Sequence, residues 1–216
     1  MTLFLRKITI LILAFFVLVG CDRKPKNLTL AKEEIEEYYE KGFFASDVKL
    51  LVDQAIEYFY PRICCGPDSA VIFDIDDTLL WSYYDMKEIQ FGFVPPLYHE
   101  WVLKAQSPAV PHVKRLYDFF VGRGCKIILL TGRRFDERTA TIKNLKNQGF
   151  NKIDLLITRE EDELNLTAVE YKVKHRKMLE EQGYTIIASI GDQYSDLEGG
   201  YAEYKVKIPN YTYLIY

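Results

Sequence analysis

Residues 70–80 read AVIFDIDDTLL. Four apolar residues, Ala70 to Phe73, run into three carboxylates, Asp74, Asp76 and Asp77. An unpaired charge in an apolar core is expensive, so this junction reads as the edge of a buried strand. The pattern recurs. KIILLT (126–131) is followed by Gly132 and Arg133, and TIIASIG (185–191) by Asp192. KIDLLIT (152–158) is another apolar run, and YKVKIP (204–209) a fifth candidate strand. Helical stretches lie between them: PHVKRLYDFFVGRG (111–124), one near 135–148 ending at Gly149, and one near 168–182 ending at Gly183. Glycine just past a helix is a common stop signal. Strands apolar on both faces, alternating with helices, predict a central parallel sheet in a three-layer α/β/α fold. Ligands of such sheets bind at the carboxyl ends of the strands, and the acids fall there.

The 216 residues suffice for one or at most two domains, and 49% are hydrophobic, enough for a sizeable core. The net charge of −3, with no basic cluster, argues against a nucleic-acid polymer as partner. Residues 1–20 read as an export signal: Arg6 and Lys7, then the apolar run ITILILAFFVLVG. That run is short for a bilayer-spanning helix, which needs roughly 20 apolar residues. Its ending, Leu18 to Cys21, resembles the bacterial lipobox, which implies cleavage before a lipidated Cys21. Residues 21–28 then form a polar tether and 29–216 the folded domain. The expected protein is exported and lipid-anchored to a bacterial membrane. Where a host sorts lipoproteins by the residue after Cys, Asp22 points to the inner membrane. Removing residues 1–20 takes away two cations and moves the formal charge to −5. Cys64, Cys65 and Cys125 remain, an odd number, so no disulfide framework is implied. Cys65 and Cys125 either bridge or stay as buried thiols. Upstream, 30–42 and 45–60 have helical spacing, with Ser46 a candidate N-cap.

Carboxylates converging on one crevice repel each other, so a cation belongs among them. Hard oxygen donors without Cys or His indicate Mg²⁺. The three histidines, His99, His112 and His175, are scattered and read as surface or satisfied residues. An EF-hand fails, because Leu79 stands where the loop needs Gly and Asp85 where it needs Glu. No Gly-Lys-Ser/Thr supports a P-loop. In extended backbone, Asp74 and Asp76 point the same way. One can attack as a nucleophile while the other handles the proton. Asp77 and Thr78 read as structural.

FDIDDTLL, LLTGR, a downstream lysine and GDQYSD together resemble the four motifs of the haloacid dehalogenase (HAD) superfamily. Within it, the stretch YKVKHRKMLEEQGYTIIASIGDQYSDLEGG and the tail VKIPNYTYLIY resemble the acid phosphatase subfamily, IIIB, over roughly residues 45–216. That group holds bacterial secreted and lipoprotein phosphatases and plant vegetative storage proteins. The resemblance implies a HAD-like Rossmannoid fold with a small, mostly helical cap-like insertion. It implies Asp74 as nucleophile and Mg²⁺ ligand, with Asp76 as general acid and then base, its carbonyl also on the metal. Thr131, Gly132, Lys172 and Arg133 would bind phosphate, and Asp192 and Asp196 the metal. The substrate would be a small phosphomonoester. The alternatives are a phosphotransferase, or a storage or binding protein on the same scaffold. The storage proteins have largely lost activity through change of the nucleophile, which is intact here as Asp74. The aromatic-rich segment 81–106 is the expected cap. In related phosphatases, aromatics near this place hold a nucleoside base or aryl group. Tyr83 and Tyr84 are the stacking candidates, because they follow the catalytic loop, and nucleoside monophosphates or aryl phosphates the corresponding substrates. The oligomeric state is left open.

Overall fold

The computed structural model describes residues 25–62 and 65–215. The chain divides into a unit up to Ala31 and a unit from Lys32 to Tyr216, which holds the whole site. The expected signal, Cys21 and the tether as far as Lys24 lie outside the described residues. Among the described residues, no helix is long and apolar enough to cross a membrane.

Helix α1 (Leu28–Glu40) is followed by α2 (Phe43–Phe59). Gly42, at φ 86°, makes the corner between them in a conformation that glycine adopts without strain. Helix α2 therefore starts before Ser46, which lies inside it and not at its cap. Then come β1 (Ser69–Phe73), α3 (Tyr83–Glu88), α4 (Pro95–Lys104), α5 (Val113–Gly122), β2 (Lys126–Arg134) and α6 (Arg138–Asn147). The chain continues through β3 (Leu155–Arg159), α7 (Ala168–Glu181), β4 (Thr185–Gly191) and β5 (Tyr204–Lys207). All five strands are parallel, in the order β3-β2-β1-β4-β5. The chain moves outward from β1 to β3, then crosses through α7 to the other side of β1. The strand order thus reverses between β1 and β4, where a ligand crevice opens at the carboxyl ends.

Strand β1 shows why both faces are apolar. Val71 and Phe73 pack in a core with Val48, Val52 and Phe59 of α2 and Leu116 and Phe120 of α5. Ala70 and Ile72 pack in a second core with Tyr171 and Leu179 of α7. Each such large aliphatic or aromatic side chain contributes about 1.5–3 kcal/mol on burial. Asp74 continues the alternation of Ala70 and Ile72 toward α7. The start of α7 is set by a capping box: Thr167 Oγ1 accepts from Glu170 N (3.2 Å), and Glu170 Oε2 accepts from Thr167 N (2.8 Å). That fixes the phase of the helix, and with it which residue faces Asp74.

Cys65 and Cys125 are bridged, with Cα atoms 5.1 Å apart. The bond ties the turn before β1 to the residue before β2 across 60 positions of sequence. A crosslink over a loop of that size typically contributes about 2–4 kcal/mol. Cys65→Ser should lower the urea midpoint by a corresponding amount, and reductant should bring the parent protein to the variant's midpoint. Equal midpoints for parent and variant without reductant would show that the bridge contributes nothing.

Candidate active site

Asp74 follows the last residue of β1, and its backbone N–H donates to Ile190 O at 2.9 Å, tying it to β4. Beyond it the chain turns: Leu79 and Leu80 both donate to Ile75 O (2.9 and 2.8 Å). Asp77 sits in the left-handed region at φ 53°. Its carboxylate accepts from Ser82 N (2.8 Å), Ser82 Oγ (2.6 Å) and the Tyr213 hydroxyl (2.8 Å). Asp77 is a structural residue, as its place in the sequence suggests. Thr78 is buried and donates weakly to Asp192 (3.4 Å).

The structure brings Asp74, Asp192 and Asp196 together. One carboxylate oxygen from each lies within 4.8 Å of the other two, and all three residues are buried. The Lys172 ammonium, also buried, bonds Asp74 Oδ1 at 2.7 Å and Asp196 Oδ1. Asp196 is held from behind. Its Oδ2 accepts from Gln193 N (2.8 Å), and its carbonyl accepts from Ser189 Oγ (2.8 Å) and Arg176 Nη1 (2.9 Å). Arg176 is fully buried and also donates to the carbonyls of Ser195 (3.3 Å) and Glu198. Gly191 has no room for a side chain: a Cβ there would lie 2.2 Å from Asp196 Cβ. Asp192 accepts from Asn210 Nδ2 (2.7 Å) and Gln193 Nε2 (2.6 Å).

Electrostatics separate the acids. Burial pushes the Asp74 carboxyl up to about 7; Lys172 opposes this, while Asp196 and Asp76 add to it. Asp192 is raised well above the usual range, first by burial and then by Asp74 and Asp196. Burial acts the same way on Asp76, but there Arg133 and the Tyr98 hydroxyl outweigh it and hold the carboxyl below its usual range. Arg133 Nε lies 3.2 and 3.1 Å from the two Asp76 oxygens, and Nη2 lies 2.7 Å from Oδ1.

The residues fit a divalent metal. Three buried carboxylates converge there, and one ammonium, Lys172, bonds two of them. An all-oxygen donor set is what a hard cation such as Mg²⁺ takes. The side chain of Asp76 is not in this group, being drawn off to Arg133.

A cavity of about 750 Å³ opens over the strand ends, reaching Asp74, Asp76, Gly132, Lys172 and Asp192. Several expectations are corrected here. Thr131 is fully buried with its hydroxyl turned back to accept Arg133 N (3.1 Å), so Gly132 reaches the cavity and Thr131 does not. Arg133 lines the cavity, but its guanidinium is committed to Asp76 and to Thr141 Oγ1 (3.0 Å) instead of being free for phosphate. Tyr83 is buried in the core, stacked on Tyr39 at 4.6 Å, with its hydroxyl on Glu40; Tyr84 is exposed, and neither lines the cavity. The aromatic walls are Phe93 and Tyr98, from the segment before and within α4, and Tyr213 from the C-terminal tail. Tyr98 lay in the aromatic run, yet no spacing singled it out. Asn210 and Tyr213 lie in a tail with no periodic pattern.

Comparison with known proteins places this arrangement. The model of the HAD superfamily, subfamily IIIB (acid phosphatase), matches residues 24–215. The stem 28 kDa glycoprotein of Glycine max is 38% identical over 190 residues, covering 85% of this chain and 74% of the relative. Acid phosphatase 1 of Solanum lycopersicum is 33% identical over 187 residues, covering 84% and 73%. Vegetative storage protein 1 of Arabidopsis thaliana is 31% identical over 206 residues, covering 92% and 74%. Among solved structures, the class C acid phosphatase from Bacillus anthracis shares the fold, with a TM-score of 0.60 at 19% identity, covering 87% of this chain and 85% of that one. The chain belongs to subfamily IIIB of the HAD superfamily, the acid phosphatases.

Proposed function

We propose that the protein is an exported, Mg²⁺-dependent acid phosphatase that hydrolyses small phosphomonoesters through an aspartyl-phosphate on Asp74. The observation that carries this reading is the opposite treatment of two carboxylates on one cavity: Asp74 beside Lys172, and Asp76 gripped by Arg133. The Asp74 carboxylate attacks phosphorus and the ester oxygen leaves. Lys172, already on Asp74, offsets the charge gathering on the phosphoryl oxygens. The Gly132 backbone lies on the same wall as a further donor. Asp76 gives its proton to the leaving alcohol. It then takes one from the water that opens the acyl phosphate, releasing phosphate and restoring Asp74. Arg133 holds the Asp76 carboxyl low, so only falling pH populates the protonated form that can serve the leaving alcohol, and a cation beside Asp74 would lower that raised carboxyl and keep it ionised there. Asp74, Asp192 and Asp196 would hold the metal, which lowers the repulsion between carboxylate and incoming phosphate.

Export and lipid anchoring rest on the sequence Leu18 to Cys21 after the apolar run. In cells of a lipoprotein-processing bacterium, labelled fatty acid should enter the parent and not Cys21→Ser. Equal labelling of both would remove Cys21 as the anchor.

Two further outcomes are expected of residues 22–216. Phosphate release from phenyl phosphate at mildly acidic pH should need Mg²⁺, stop with EDTA, and fall at least about a thousandfold in Asp74→Asn, because an amide neither attacks nor binds a hard cation well. Activity in that variant close to the parent's would sink the covalent mechanism. Gly191→Ala should displace Asp196, costing about 1–3 kcal/mol of stability and weakening Mg²⁺ binding in direct titration. Binding unchanged from the parent's would show that Asp196 is not a ligand.

A further inference from the structure

The cavity carries a pair of titratable side chains that the chemistry above does not use. His99, on α4, and Glu137, in the short turn before α6, both line it. Glu137 is buried, at 3% exposure. Its Oε2 accepts the backbone N–H of Arg134 at 2.7 Å, and its Oε1 bonds His99 Nδ1 at 2.9 Å. Burying a carboxylate is costly unless its oxygens are used. Here both are used, one of them to hold an imidazole. A carboxylate on Nδ1 fixes the tautomer with its proton on that nitrogen and leaves Nε2 as the nitrogen available to a ligand. The ring itself stays open, with 38% of the side chain exposed.

The neighbours of His99 say what that ligand is. Tyr98, one residue earlier on α4, lines the same cavity as Asp76, the group that hands a proton to the leaving oxygen, and helps to hold that carboxyl low. Helix α4 therefore faces the leaving group, not the phosphoryl group, which sits over Asp74 and Lys172. Apolar side chains, Met86, Phe93, Pro95 and Pro96, also line the cavity, together with the charged Arg134 and Asp136 next to Glu137. A polar group whose orientation is fixed by a buried partner adds selectivity between alcohols that do and do not hydrogen-bond to it.

We propose that His99, oriented by Glu137, is a specificity-determining residue that hydrogen-bonds hydroxyl groups of the leaving alcohol. The favoured substrates are then phosphate monoesters of polyols, such as sugars or nucleosides, over those of simple alcohols. This inference rests on the phosphatase reading. The test compares two primary esters of equal carbon count, ribose 5-phosphate and n-pentyl phosphate, by the ratio of their kcat/KM values. A ratio does not depend on how much of a preparation is folded. The parent should favour the ribose ester, and His99→Leu should lower the ratio roughly three- to tenfold, the effect of one neutral hydrogen bond. His99→Asn, polar but too short to span the same gap, should lower it likewise and serves if the leucine variant does not fold. A ratio unchanged in the variants, or a parent that favours the pentyl ester, overturns the assignment and leaves the phosphatase reading standing. A parent that releases phosphate from neither ester nor from phenyl phosphate overturns that reading and this one with it.

Discussion

The buried Lys172 ammonium between Asp74 and Asp196 is the interaction on which the site depends. Removing one partner of a buried ion pair leaves an uncompensated charge, typically a cost of about 3–5 kcal/mol. The three residues come from β1, from α7 and from the turn after β4, so the pair also holds three elements in register. Supporting parts of the structure serve that geometry. The Thr167 capping box sets the phase of α7. Arg176, four residues beyond Lys172, spends its guanidinium on backbone carbonyls of the Asp196 turn. Gly191 leaves the space that the Asp196 side chain fills.

A second charge pair sits beside the first without merging with it. Asp74 and Asp76 are two residues apart and share a cavity, yet burial raises one while Arg133 holds the other down. A cation among Asp74, Asp192 and Asp196 would lower the Asp74 carboxyl again, as an attacking carboxylate needs. Their partners come from different elements: Lys172 from α7 opposes the rise that burial imposes on Asp74, while Arg133 from β2 and Tyr98 from α4 hold Asp76 down.

Much of this was legible in the sequence, because strand ends and charge are local signals. The apolar runs, the glycines after α6 and α7, and the acids at 74, 76, 192 and 196 located the sheet and the crevice. The errors share a different origin. Tyr83 and Tyr84 were placed by their distance from Asp76 along the chain, but α3 has only six residues and its buried side is set by tertiary packing on Tyr39. Arg133 and Thr131 have the residue types that bind phosphate. Nothing in their neighbourhood reveals that one would turn to Asp76 and the other to a backbone N–H. The reading of His99 as a surface or satisfied residue holds, but its partner Glu137, 38 positions away, is not visible in the sequence.

The distribution of these signals follows from how the site is built. Groups to which the proposed reaction gives the phosphoryl centre stand at the ends of β1, β2 and β4 or on α7, and the sheet fixes them together. Other walls of the cavity come from α4 and from the tail, where Asn210 bonds Asp192, Tyr213 bonds Asp77 and Ile215 N–H bonds Gln193. Those segments are fastened to the catalytic turns by single hydrogen bonds from side chains, not by strand pairing. A residue there can change without disturbing the sheet, whereas a change at a strand end moves the ion pairs. Selectivity for the alcohol can therefore diverge among proteins of this fold while the carboxylate–lysine arrangement stays in place.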